Sequence, residues 1–123
     1  MILVDSSVWI DHLRHGDAML ARQLQQGRVL CHPFIIGELA LGNLRQRGAI
    51  LSALQDLPPV PVASDPEVFD FIERHALFGL GIGYIDAHLL AATLLLPGSQ
   101  LWTRDKRLNN AAGRLDLAAE RDH

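Results

Sequence analysis

The chain has a single cysteine, Cys31, so no intramolecular disulfide can form and nothing braces the fold covalently. Low cysteine use suits a reducing compartment, and the expected location is the cytoplasm. Cys31 lies inside an apolar run and reads as a small buried apolar side chain. An excess of positive charge is also missing. The net charge is −3 at pH 7 and the pI is about 6.0, so bulk electrostatics does not draw the protein to nucleic acid. Any RNA contact has to come from a local basic patch. No apolar stretch is long enough to span a membrane, because the longest uncharged one is broken by glycines, by Asp86 and by Pro97-Gly98. Met1-Ile2-Leu3-Val4-Asp5 has neither the basic start nor the length of a signal segment, so secretion and membrane insertion are not expected. Internal repeats, linkers and low-complexity segments are lacking too. The expectation is one domain over residues 1–123, with room for a sizeable core.

What the chain does have is apolar material, 49% of residues with a mean hydropathy of +0.14, as suits elements buried on two faces. Ile2-Leu3-Val4 reads as a buried strand, and Asp5-Ser6-Ser7 as the start of a helix. A second helix is predicted from Asp17 to about Gln26, closed by Gly27, and a second strand over Arg28-Val29-Leu30-Cys31. Pro33 opens a helix that carries Glu38 and ends near Gly42 or Asn43. Another helix follows over Gln46 to Leu54. The prolines of Pro58-Pro59-Val60-Pro61-Val62 allow only a short edge strand. Ser64-Asp65-Pro66-Glu67 caps a helix running to about Ala76. A further helix spans Tyr84 to Leu95, Leu101-Trp102-Thr103 is a strand, and Leu115-Asp116-Leu117 is a candidate last strand. Strands alternating with helices indicate an α/β sandwich around a mainly parallel sheet of four to five short strands.

Four carboxylates stand out against this background: Asp5, Glu38, Asp86 and Asp105. Asp86 is the only formally charged residue between Ala76 and Thr103, and Glu38 the only one between Val29 and Leu44. A lone carboxylate in such surroundings is costly unless a cation or several donors meet it. In parallel α/β sheets, sites form beyond the carboxyl ends of the strands, which is where Asp5 and Asp105 fall. Helices arriving from the same edge bring Glu38 and Asp86 within reach of them. Singly, Asp5 and Asp105 read equally well as helix caps, and Asp86 as a first-turn charge that suits the helix dipole. Jointly they read as one site for Mg²⁺ or Mn²⁺. Such ions take hard oxygen ligands in octahedral geometry and leave positions for phosphate and water, which points to phosphodiester cleavage without a histidine or cysteine nucleophile. Ser6, Ser7 and Thr103 sit beside the acids as orienting hydroxyls, with helix capping the alternative for the serines. Arg104, Lys106 and Arg107 around Asp105, and Arg45 and Arg47 beyond the helix of Glu38, are candidate phosphate contacts; a solvated helix face is the alternative for each. His12 and His15 lack companions for a zinc site, His88 points away from Asp86 and receives no role, and Trp9 and Trp102 read as core.

Asp5-Ser6-Ser7-Val8-Trp9-Ile10-Asp11 resembles the opening of PIN-domain nucleases, in particular the VapC-type toxins of bacterial toxin–antitoxin modules. Gly37-Glu38-Leu39, the block from Gly83 to Ala92 and the block from Leu101 to Leu108 match that family's later motifs in order, and the similarity covers essentially the whole chain. The resemblance implies a Rossmann-like α/β/α sandwich, Mg²⁺- or Mn²⁺-dependent endoribonuclease activity, a homodimer, and a cognate antitoxin whose tail covers the active site. Its acidic quartet falls on Asp5, Glu38, Asp86 and Asp105 as catalytic and metal-binding residues, with Ser7 and Thr103 as the supporting polar positions. Where some members carry a further acid, Lys106 and Arg107 stand here. Two other readings are weaker. A non-catalytic RNA- or partner-binding protein on the same fold would be favoured by a missing acid, and none is missing. A receiver-like signalling domain wants adjacent acids after the first strand and a phospho-accepting Asp after a central one, which this chain lacks.

Overall fold

The computed structural model describes residues 1–119. Its elements, in chain order, are β1 (Ile2–Val4), α1 (Ser6–His15), α2 (Ala18–Gln25), β2 (Val29–Leu30), α3 (Pro33–Ala40), α4 (Arg47–Gln55), α5 (Asp65–Arg74), α6 (Tyr84–Leu95), β3 (Gln100–Trp102) and α7 (Lys106–Arg114). The sheet has the order β2-β1-β3 and is parallel throughout. Ile2 lies opposite Val29 and Gln100, and Leu3 opposite Leu30 and Leu101. All three residues of β1 are buried, as expected of a central strand covered on both faces, and this explains its unbroken apolar run.

Each edge of the sheet is extended by a single bridge. Cys31 N–H donates to Pro58 O and Val60 N–H to Cys31 O, so a fourth segment pairs beside β2. Proline has no N–H to give, and with prolines at 58, 59 and 61 the pairing goes no further. On the other side Leu101 N–H donates to Leu117 O and Ala119 N–H to Leu101 O. The last strand predicted over Leu115-Asp116-Leu117 is therefore displaced. Leu115 is still the C-cap of α7, Asp116 turns the chain at φ +61°, and the pairing centres on Ala118.

The helices follow local rules. Ser64 and Glu67 form a reciprocal capping box at the start of α5, with Pro66 in its first turn. Asp17 caps α2 by accepting from Leu20 N–H, and Pro33 opens α3. Every residue from Ala87 to Thr93 in α6 is buried, as suits a helix enclosed all round. Trp9 and Trp102 both belong to the core. None of the helices among the described residues is long and apolar enough to cross a membrane.

From β1 the chain first moves to β2 and later crosses back to β3 on the other side. The change of direction opens a crevice at the carboxyl end of β1, the place where such sheets hold ligands.

Candidate functional site

Asp5 follows β1 directly and is buried, and its amide donates to Trp102 O, which continues the β1–β3 ladder. It occupies the N-cap position of α1, yet its side chain makes no cap hydrogen bond. Its Oδ2 instead accepts from Ser7 Oγ at 2.9 Å and from Thr103 Oγ1 at 2.8 Å. Ser7 Oγ in turn accepts from Arg104 N–H, and Thr103 Oγ1 from Asp105 N–H. Two hydroxyls separated by 96 residues are thus fixed by backbone amides and both aimed at one oxygen of Asp5.

The other acids are arranged alike. Asp86, half-buried in the first turn of α6, accepts from Gly83 N–H on Oδ2. Asp105 caps α7, taking Arg107 N–H and Leu108 N–H on Oδ1. Glu38 lies in α3 with Oε1 3.5 Å from Ser6 Oγ. Each carboxylate therefore has one oxygen engaged, while the other receives no hydrogen bond from the described residues. No ion pair among the described residues involves any of the four.

Their charges act on one another. Loss of water raises the Glu38 carboxyl above its ordinary range, and Asp5 and Asp86 raise it further. Asp86 is also raised, chiefly by burial and then by Asp5 and Asp105, against the lowering effect of the Gly83 amide. Electrostatically the four acids are linked in this way, Glu38 with Asp5 and Asp86, and Asp86 with Asp5 and Asp105. Among the described residues, no three His, Cys, Asp or Glu side chains already stand in position to enclose an ion. The apolar neighbours of Glu38 in sequence suggested a covered carboxylate, but Glu38 and Asp105 are exposed, because Glu38 sits on the outward side of α3 while Ile35 and Leu39 face the core.

The basic residues divide. Arg104 is already committed: its Nη2 lies 2.7 Å from Asp17 Oδ2 and its Nε 2.7 Å from Asp11 Oδ2. The Asp17 contact is a hydrogen bond, whereas the Nε–H is not aligned on Asp11 and that contact is an ion pair only. Burial raises the Asp17 carboxyl, but the Leu20 amide and Arg104 outweigh it and the net shift is downward. The expectation that Arg104 meets phosphate gives way to a clamp joining α1, the start of α2 and the β3–α7 loop. Removing it with Arg104→Ala should lower stability by about 1–2 kcal/mol, between the exposed and buried limits for ion pairs, as read by thermal denaturation. Arg47 is committed too, donating to the carbonyls of Ala40 and Gly42 at the end of α3.

Lys106 and Arg107 are exposed on the first turn of α7. Arg107 lies over Gly81, whose φ is +78° and where a Cβ would stand 2.8 Å from Arg107 Cδ. Arg45 lines a groove of about 440 Å³ together with Glu38, Ile10 and Leu39. Arg14 and His15 line the same groove; Arg14 was not singled out from sequence and His15 was weighed only as a zinc ligand, since helix α1 had to be docked beside α3 before they could be placed there.

A model of the PIN domain matches residues 2–114. The chain belongs to the PIN-domain family. Two curated relatives, each named Ribonuclease VapC32, come from Mycobacterium tuberculosis strains CDC 1551 / Oshkosh and ATCC 25618 / H37Rv. Each is 47% identical over 118 residues, covering 96% of this chain and 95% of the relative. The parallel α/β sheet is what membership of the PIN family calls for.

Proposed function

We propose that this protein is a VapC-type toxin, an endoribonuclease whose single domain uses Mg²⁺ or Mn²⁺ held by Asp5, Glu38, Asp86 and Asp105. One observation carries the reading: four carboxylates lie within electrostatic reach, unpaired by any Lys or Arg among the described residues, each with an oxygen left over. Such a donor set fits a hard, hydrated divalent cation. Bound there, the cation supplies positive charge to the phosphoryl oxygens and a more acidic water. Asp5, Asp86 and Asp105 would hold it, and Glu38 would hold it directly or through water. Ser7 and Thr103 fix the carboxylate of Asp5, so that its free oxygen has one orientation. Hydrolysis would leave a 5′-phosphate and a 3′-hydroxyl. The relatives' name supports the ribonuclease assignment. The toxin role, a cognate antitoxin as partner, a homodimer and a cytoplasmic setting are the accompanying expectations of the VapC-type resemblance.

The test is cleavage of total cellular RNA by purified, antitoxin-free protein, with Mg²⁺, with EDTA, and with Asp86→Asn beside wild type. Discrete fragments that require both the metal and Asp86 are the expected result. Folded wild-type protein that leaves RNA intact would favour the non-catalytic binding reading instead.

A further inference from the structure

Arg107 starts on the first turn of α7, where its backbone N–H donates to Asp105 Oδ1 at 2.9 Å. From there its side chain crosses to the loop ahead of α6 and rests against Gly81. A Cβ on Gly81 would stand 2.8 Å from Arg107 Cδ, 2.9 Å from Nη1 and 3.2 Å from Cζ. Side-chain carbons do not sit that close, so any other residue at 81 would push the arginine aside. The backbone of Gly81, at φ +78°, suits glycine on its own account as well.

This contact lies between the anchor points of two acids. Gly83, two residues past Gly81 and so no more than about 7 Å from it, donates its amide to Asp86 Oδ2. Asp105 is fixed at the other end by the Arg107 and Leu108 amides. The guanidinium pairs with neither carboxylate. Among the described residues it makes no hydrogen bond and no ion pair, whereas Arg104 and Arg47 both have protein acceptors. Arg107 stays exposed, always charged, with five N–H donors in a planar fork. Holding a long side chain against backbone costs rotamer freedom, and no protein acceptor offsets that cost here. A merely solvated residue has no need of a glycine beneath it. A phosphate does need such a cation, because four carboxylates exceed the charge of one divalent ion and repel an incoming anion.

We propose that Gly81 and Arg107 form a phosphate seat. Gly81 leaves the space in which the guanidinium lies, and the guanidinium takes a backbone phosphate neighbouring the one that meets the acids. Its fork suits two parallel N–H bonds to phosphate oxygens. Such a contact sets where the strand lies and reads no base. Arg107 is thus a substrate-binding residue and Gly81 a positioning residue that acts through it. The choice of RNA as the occupant rests on the nuclease reading of the four acids, whereas the contact between Gly81 and Arg107 does not.

Binding of a fluorescein-labelled oligouridylate to the full-length protein tests the seat, read by anisotropy with Ca²⁺ present and Mn²⁺ absent. Arg107→Ala should weaken binding about tenfold, the scale of one hydrogen-bonded contact to a charged group. It should also flatten the slope of log K against log salt by about 0.7, the share of one phosphate contact on a single strand. Arg107→Lys keeps the charge and should restore the slope. A purely structural arginine would leave the slope unmoved, so an unchanged slope, or wild-type protein that fails to bind, overturns the phosphate contact. Gly81→Ala should weaken binding while Arg107 is present and change nothing in an Arg107→Ala background, where there is no side chain to displace. The second background isolates the strain of alanine at positive φ. An equal loss in both backgrounds, or no loss in either, overturns the seat. Binding that needs Arg107, in protein that cleaves no RNA with Mn²⁺, sustains the seat and rejects the nuclease reading. Cleavage by protein whose binding is indifferent to Arg107 does the reverse.

Discussion

Asp5→Asn should reduce metal-dependent RNA cleavage by on the order of a thousandfold, the effect of removing one preorganised electrostatic group at a reacting centre. The fold should persist. Asparagine keeps an oxygen to accept from Ser7 and Thr103, and the side chain occupies the same buried place at the end of β1. What is lost is the charge. Asp5 is a shared cause of the upward shifts of Glu38 and Asp86, so both carboxyls should titrate lower in the variant. The melting temperature of the metal-free protein should stay level or rise. Carboxyl-resolved NMR titration together with a cleavage assay checks both halves. Full activity in a contaminant-free Asp5→Asn preparation would remove Asp5 from the site.

Mn²⁺ should stabilise the protein strongly at about pH 7 and progressively less as pH falls through the carboxylate range. Glu38 and Asp86 have raised folded-state values, so between the unfolded and folded values the metal-free folded chain holds the extra protons. Metal-free stability accordingly falls as pH rises through that interval, and the repulsion is felt in full above it. A cation competes with those protons, and its benefit vanishes where they are bound. At a hundredfold excess over Kd the gain is about 2.7 kcal/mol, on the order of 10 °C in Tm for a domain of this size. Melting curves with Mn²⁺ and with EDTA across pH measure it. A shift that ignores pH, or survives in the Glu38→Gln, Asp86→Asn double variant, would place the cation elsewhere.

Much of this architecture could be read from local pattern. The buried run Ile2-Leu3-Val4, the capping box at Ser64 and the helix Tyr84–Leu95 follow from residue type and spacing, and the structure has them where the pattern puts them. What local pattern does not contain is the partner across the fold. Arg104 reads as a free cation beside Asp105 until α1 and α2 deliver Asp11 and Asp17 to it. Glu38 reads as covered because its sequence neighbours are apolar, but those neighbours turn to the other side of α3. His88 reads as idle on α6, and its companions His32 and Asp65 lie 56 and 23 residues away. The last pairing slips to Ala118 because Asp116 first has to reverse the chain. The acids could be located from sequence because topology fixes strand ends.

The hydrogen bond between Thr103 and Asp5 spans 98 residues, and the central strand gains one of its two neighbours only with β3. During synthesis the amino-terminal strand therefore waits, half-paired, until β3 has been made. The crevice cannot close around Asp5 until the segment from Gln100 onward has cleared the ribosome. Whatever chemistry the crevice supports therefore begins only once both neighbours of the central strand are in place, so the order of assembly sets when the site first exists.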